Sequence, residues 1–146
     1  MIITFFGHRN APSNIKPYIR EILIDFIENQ NAVKFYVGNN GHFDHIVRTV
    51  LRELKTVYKN IDYAVVLPYI NKKPNEYDDY TDTIFPEGIE NVPPRFAICW
   101  RNEWMINNSD TVITFVEHNF GGAAKYKAIA LKRGKKVINI ADFFKQ

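Results

Sequence analysis

Cysteine is nearly absent from this chain of 146 residues: Cys99 is the only one. A single thiol excludes an intramolecular disulfide, and the start Met1-Ile2-Ile3 shows neither a basic segment nor a long apolar one, so the expected compartment is the cytoplasm. Long hydrophobic runs are also missing. The longest candidates are broken by Lys, Arg or Asp well short of the roughly 20 residues that span a bilayer, and no membrane partner is expected. No block of one charge stands out: the net charge is +3, and basic residues are scattered except for Lys132-Arg133 and Lys135-Lys136. The stripe of a dedicated nucleic-acid binder is therefore lacking, and the composition argues against nucleic acid as partner. There is no internal repeat, low-complexity tract or linker, no full Walker loop, no complete GxGxxG and no serine elbow, and no cofactor is called for.

What the chain does have is apolar mass with a rhythm. Hydrophobic residues make up 46% of it, enough for the core of one compact domain over residues 1–146. Ile2 to Phe6, Val33 to Val37, Ile61 to Leu67, Thr111 to Phe115 and Val137 to Ile140 read as strands. Between them, Ile15, Tyr18, Ile19, Ile22, Leu23, Phe26 and Ile27 recur at helical spacing, with Ser13 or Asn14 placed to cap and Pro17 tolerable in the first turn. Phe43, Ile46, Val47, Val50, Leu51 and Leu54 give a second helix, Arg95 to Ile106 a third, and Ala123 to Arg133 a fourth closed by Gly134. The alternation predicts an α/β fold: a single Rossmann-like domain with a mostly parallel five-stranded sheet, order 3-2-1-4-5, flanked by helices. The rhythm breaks at residues 68–94, too long for a structureless loop and too rich in Tyr69, Tyr77, Tyr80, Ile84 and Phe85 for a tail. It reads as an ordered, locally acidic insertion on the sheet's rim.

In such a sheet, ligands sit beyond the carboxyl ends of the strands, where helix N-termini favour anions. Three loops fall there: Gly7-His8-Arg9, Gly38-Asn39-Asn40-Gly41 with Asp44 beyond it, and Gly121-Gly122-Ala123-Ala124. The paired glycines allow close approach of a phosphate, or are simply a tight turn. Asp44 in a first helical turn suits a ribose hydroxyl, or serves the helix dipole or a cap. His8 and Arg9 could hold phosphate, or Arg9 could pair with Asp44 or an acid of the insertion. Arg101, among Trp100, Trp104 and Met105, needs a partner: Glu103, Asp110, the insertion, or a ligand. His42 and His45 diverge around a helix and no second ligand cluster accompanies them, so no metal is expected. Cys99 reads as a buried small hydrophobe.

Phe6-Gly7-His8-Arg9, Val37-Gly38-x-x-Gly41-x-x-Asp44, Trp100-Arg101-Asn102-x-Trp104-Met105 leading into Ser109-Asp110, and Phe120-Gly121-Gly122-Ala123 together resemble the SLOG superfamily. This Rossmann-like group includes the lonely-guy phosphoribohydrolases and the nucleotide-binding fold of DNA-processing protein A. The likeness spans most of the chain in the expected order and points to the group's small bacterial and phage members. It implies binding of a nucleotide or nucleotide-derived molecule by Gly7, His8, Arg9, Gly38, Asn39, Gly41, Asp44, Arg101, Asn102, Gly121, Gly122 and Ala123. Lonely-guy enzymes cleave the base from a nucleoside monophosphate with an Arg in a segment similar to that at Arg101 and a Glu shortly after the paired glycines. Here that stretch reads Ala123-Ala124-Lys125-Tyr126-Lys127-Ala128, so the family's Glu is missing. A glycosidic bond cleaved through an oxocarbenium-like state needs a carboxylate, which Glu117 or an acid between Glu76 and Asp82 could supply. The expectation is a sensor or sequestering module for a nucleotide-derived ligand. The alternative is a nucleotide N-glycosidase or deoxyribosyltransferase-like enzyme, with single-stranded DNA binding third. With Tyr, Trp and Phe at 14% of the chain, self-association into a homo-oligomer is compatible with the composition.

Overall fold

The computed structural model describes residues 1–69 and 81–144. Six strands form one sheet: β1 (Ile2–Gly7), β2 (Lys34–Val37), β3 (Asp62–Val66), β4 (Thr83–Ile84), β5 (Thr111–Phe115) and β6 (Lys136–Asn139). Their order is β4-β3-β2-β1-β5-β6, and every pairing is parallel. The five strands expected from the sequence hold their expected order. The sixth, β4, is an addition: two residues pair with Val65 and Val66 at the β3 edge, too few to produce a period in the sequence. Asp82 fixes this edge strand. Its carbonyl accepts the Val65 N–H at 2.7 Å, and its carboxylate accepts Arg48 Nε and Nη2 at 3.2 and 2.7 Å and the Tyr63 hydroxyl at 2.9 Å. Of the segment expected as an insertion, 70–80 lie outside the described residues; 81–94 supply β4 and a 3-10 turn at Ile89–Asn91 that buries Ile89.

Four helices cover the sheet: α1 (Lys16–Asn29), α2 (Gly41–Val57), α3 (Pro94–Asn107) and α4 (Gly122–Lys132). Along β1, alternate side chains serve opposite faces. Ile3 and Phe5 join the core built with Leu23 and Phe26 of α1 and Val47, Val50 and Leu51 of α2. Phe6 instead joins Met105 and Ile106 of α3, Tyr126 and Ala130 of α4, and Val66 and Val112. Burial on both sides explains why β1 and β5 read as largely apolar runs without polar alternation. Thr4, the polar interruption in β1, is buried with its hydroxyl donating to the Tyr36 carbonyl at 2.8 Å. The expected cap of α1 is absent: Ser13–Ile15 form a 3-10 turn that runs into the helix, and Ile15 precedes it without a side-chain cap. Pro17 does fall at the start of α1, and Gly134 ends α4 with φ 75°. No helix among the described residues is long and apolar enough to cross a membrane.

The chain builds β1 to β4 outward on one side and then returns to lay β5 and β6 on the other. The carboxyl ends of β1 and β5 are therefore neighbours at the point where strand order reverses, and a crevice opens there.

Candidate functional site

Close backbone approach creates the crevice. β1 ends at Gly7, where any Cβ would overlap the Phe43 ring of α2. Beyond it, Gly41 crosses beneath Arg9, with φ 86° and room for no side chain, since a Cβ would lie 2.7 Å from Arg9 Cα. The His42 N–H donates to the Arg9 carbonyl at 2.9 Å, so the loops after β1 and β2 are tied together. Gly38 has a different task. The space its side chain would fill lies 2.8 Å from Asp44 Oδ2 and 3.4 Å from Arg101 Cζ, and that space keeps both groups around one point.

Asp44 is half-buried in the first turns of α2, and its Oδ2 accepts the Asn40 N–H at 3.0 Å. The capping role expected for it is thus present. Burial pushes its carboxyl up to about 6, outweighing the Asn40 bond and the charges of Arg101 and Arg9, which favour the ionised form. Arg101 is 1% exposed. Its Nε donates to Asn102 Oδ1 at 2.7 Å, and its Nη1 donates to Asn39 Oδ1 and to the Val66 carbonyl at the end of β3, both at 2.8 Å. Neither Glu103 nor Asp110 serves as its partner: Glu103 pairs with Arg133, and Asp110 Oδ2 accepts the Ile2 N–H. Among the described residues the guanidinium donates to neutral oxygens, and burial lowers its pKa while Asp44 opposes that shift.

From the other side, α4 presents its first turn. Gly121 adopts φ 89° and ψ 179°, a conformation open essentially to glycine alone, and no side chain caps the helix. Nothing lies within 4 Å of the Cβ positions of Gly121 or Gly122. Tyr126, one turn further, is buried against this crevice, and its hydroxyl is pushed up to about 12, first by burial and then by its bond with Cys99. It is neutral and able to donate.

These elements enclose a cavity of about 310 Å³ lined by Gly7, Arg9, Asn40, Asp44, Arg101, Asn102, Gly122, Ala123 and Tyr126, among others. Of the residues singled out from sequence, Gly7, Arg9, Asp44, Arg101, Asn102, Gly122 and Ala123 meet here. Gly38 and Asn39 stand behind Asp44 and Arg101 rather than on the wall, Gly41 serves the loop crossing, and Gly121 turns the chain into α4. The ion pair considered between Arg9 and Asp44 is not formed within 4 Å. Cys99, expected inside, is exposed and lines the cavity, with Lys125 Nζ 4.0 Å from its sulfur.

His8 does not face the cavity. It is buried, and its Nε2 accepts the Glu117 N–H at 2.8 Å, which requires the neutral ring. Burial, then the neighbouring His118, push its pKa down. The imidazole therefore latches the loop after β5 to the end of β1 and carries no charge for a phosphate. Glu117 lines a second cavity of about 430 Å³ on the opposite side of α4, with His118, Lys127, Asn139 and Asp142. Glu117 and Arg101 are therefore not brought to one place. His42 bonds Ser13 through Nε2 at 3.0 Å, and no cluster able to hold a metal occurs among the described residues.

Sequence reasoning missed Tyr126, Asn40 and the exposed Cys99. A signal existed: Cys99 and Asn102 on α3, and Ala123 and Tyr126 on α4, recur at three-residue spacing on the faces that meet.

No protein-family model and no curated protein matches the chain. Among solved structures, the fold is similar to that of DNA processing protein A from Streptococcus pneumoniae, with a TM-score of 0.63 and 15% identity over 92% of this chain and 48% of that one. The chain thus spans about half the length of that protein, and the likeness is one of fold.

Proposed function

We propose that this protein binds a nucleotide or nucleotide-derived molecule in the Arg101 cavity, as a sensor or sequestering module, and that it is a member of the SLOG superfamily. One observation carries the reading: loops following β1, β2 and β5 converge with α3 on a single cavity that joins an uncapped helix start, a buried guanidinium and a carboxylate. Its volume of about 310 Å³ falls at the lower end of the range for small-ligand pockets. In this reading a phosphate lies at the first turn of α4, where Gly122 and Ala123 lend backbone donors and Arg9 stands at the wall. Above pH 6 Asp44 is ionised and acceptor-only, the form suited to a sugar hydroxyl. Arg101 sets a positive field and holds the Asn39 and Asn102 amides in place.

Calorimetry of the folded protein against nucleoside mono- and diphosphates, ADP-ribose and cyclic dinucleotides tests this. Binding to at least one, weakened by Gly122→Ala, is expected; no binding to any of them refutes it. A parallel gel shift with single-stranded DNA distinguishes nucleic acid as the partner, since such binding falls steeply with salt.

A second reading, hydrolysis of a nucleotide's N-glycosidic bond or transfer of its deoxyribosyl group, is favoured by the presence of Asp44 beside Arg101 in the same cavity. The carboxylate would then come from α2, not from Glu117. Release of free base, abolished by both Asp44→Asn and Arg101→Ala, is the outcome that would establish it.

A further inference from the structure

The loop that leads into α4 carries a column of rings. His8 lies inside, His118 stacks on it with centroids 4.1 Å apart and planes 18° from parallel, and Phe120 stacks on His118 at 3.8 Å and 14°. The inner end is fixed by the Glu117 N–H bond to His8 Nε2, and the His118 ring is also held through its Nδ1 contact with the Phe120 carbonyl at 3.0 Å. The outer end is open: Phe120 is 67% exposed, the most exposed large hydrophobic residue among those described. A side chain of this size left to water, yet oriented by two rings beneath it, is a built surface rather than a loose one.

Phe120 immediately precedes Gly121 and Gly122, whose backbone leads into the uncapped start of α4. We propose that Phe120 is a stacking platform for the base of the ligand, with the phosphate at the first turn of α4 and the base continuing the column outward from His118. The occupant is a planar aromatic ring because the stack already repeats at ring-to-ring spacing and its planes lie within 18° of parallel. Stacking is tolerant of base identity, since every base has a π-face. Selectivity among bases is therefore expected to be weak at this position. The inference rests on the nucleotide reading above, and the test separates the two.

Adenosine 5′-monophosphate and ribose 5-phosphate are titrated calorimetrically into wild type, Phe120→Ala and Phe120→Leu. The expected result is that both variants lose about 5- to 150-fold in affinity for the nucleotide, the range of one base on an aromatic ring, while ribose 5-phosphate binds all three proteins equally. Phe120→Trp should retain nucleotide affinity and show emission quenched by the nucleotide and not by the sugar phosphate, a signal that a merely structural residue would not give. Equal nucleotide affinity in wild type and Phe120→Ala overturns the platform and leaves the nucleotide reading standing. A parallel loss for both probes also overturns it, since Phe120 would then act through the shape of the loop. Failure of adenosine 5′-monophosphate to bind folded wild type overturns the platform, whereas the nucleotide reading falls only if the wider panel of nucleotides above also fails to bind.

Discussion

Asp44 makes a quantitative prediction. Its carboxyl rises from 3.8 to about 6 on folding, chiefly through burial, and at about 1.36 kcal/mol per pH unit this amounts to about 3 kcal/mol. The folded protein holds the Asp44 proton more tightly than the unfolded chain does. The stability this contributes is complete below pH 3.8 and is lost as pH rises through about 6. His8 opposes it: its pKa is lowered from 6.5, so its contribution is present above pH 6.5 and lost as pH falls. The wild-type profile therefore mixes two slopes of opposite sign, and the difference between wild type and Asp44→Asn isolates one of them. Asparagine is nearly isosteric and its side-chain oxygen can still accept the Asn40 N–H, so the cap survives. Urea unfolding of both proteins at about pH 4 and about pH 7.5 should show the variant gaining about 2.4 kcal/mol on wild type between the two conditions. An offset that is the same at both pH values would refute the reasoning, because it would mean that burial does not hold the proton on Asp44.

Gly7→Ala places a methyl group inside the Phe43 ring; overpacking of this kind should lower stability by about 1–3 kcal/mol or more in thermal denaturation, and an unchanged melting temperature would show that Phe43 moves freely. Arg101→Met leaves the Val66 carbonyl and the Asn39 and Asn102 amide oxygens without their donor, so a loss of about 3–5 kcal/mol is expected by urea unfolding. Asp82→Asn weakens the grip of Arg48, Arg52 and Tyr63 on the edge strand and should cost about 1–3 kcal/mol by the same assay. Gly122→Ala meets nothing within 4 Å, so the fold should be unchanged or up to about 1 kcal/mol more stable while nucleotide affinity falls; undiminished affinity would remove the first turn of α4 from the site.

The strand order was readable because β1 and β5 are buried on both faces and carry no polar alternation to obscure them. β4 was not, since a two-residue strand at an edge is defined by the Asp82 contacts and not by a period. Adjacent residues in the loops parted company for the same geometric reason that makes strands alternate: Arg9 reaches the cavity wall while His8 turns to the loop after β5. Around α4, Ala123 faces the Arg101 cavity and Ala124 the other, so Glu117, close in sequence to the glycine pair, ends on the far side of the helix. Arg101 was legible as a charge that needed partners. That those partners are two amides and the carbonyl closing β3 could not be read, because they come from three separated segments.

The carbonyl to which Arg101 donates belongs to the sheet itself, so α3 cannot seat without bringing its guanidinium to the strand ends. Stripping water from that cation is accomplished when the chain folds. If the proposed ligand brings an anion there, it would meet a charge already dry and already aimed, and the reorganisation that weakens most surface arginines as receptors would be absent from its binding step.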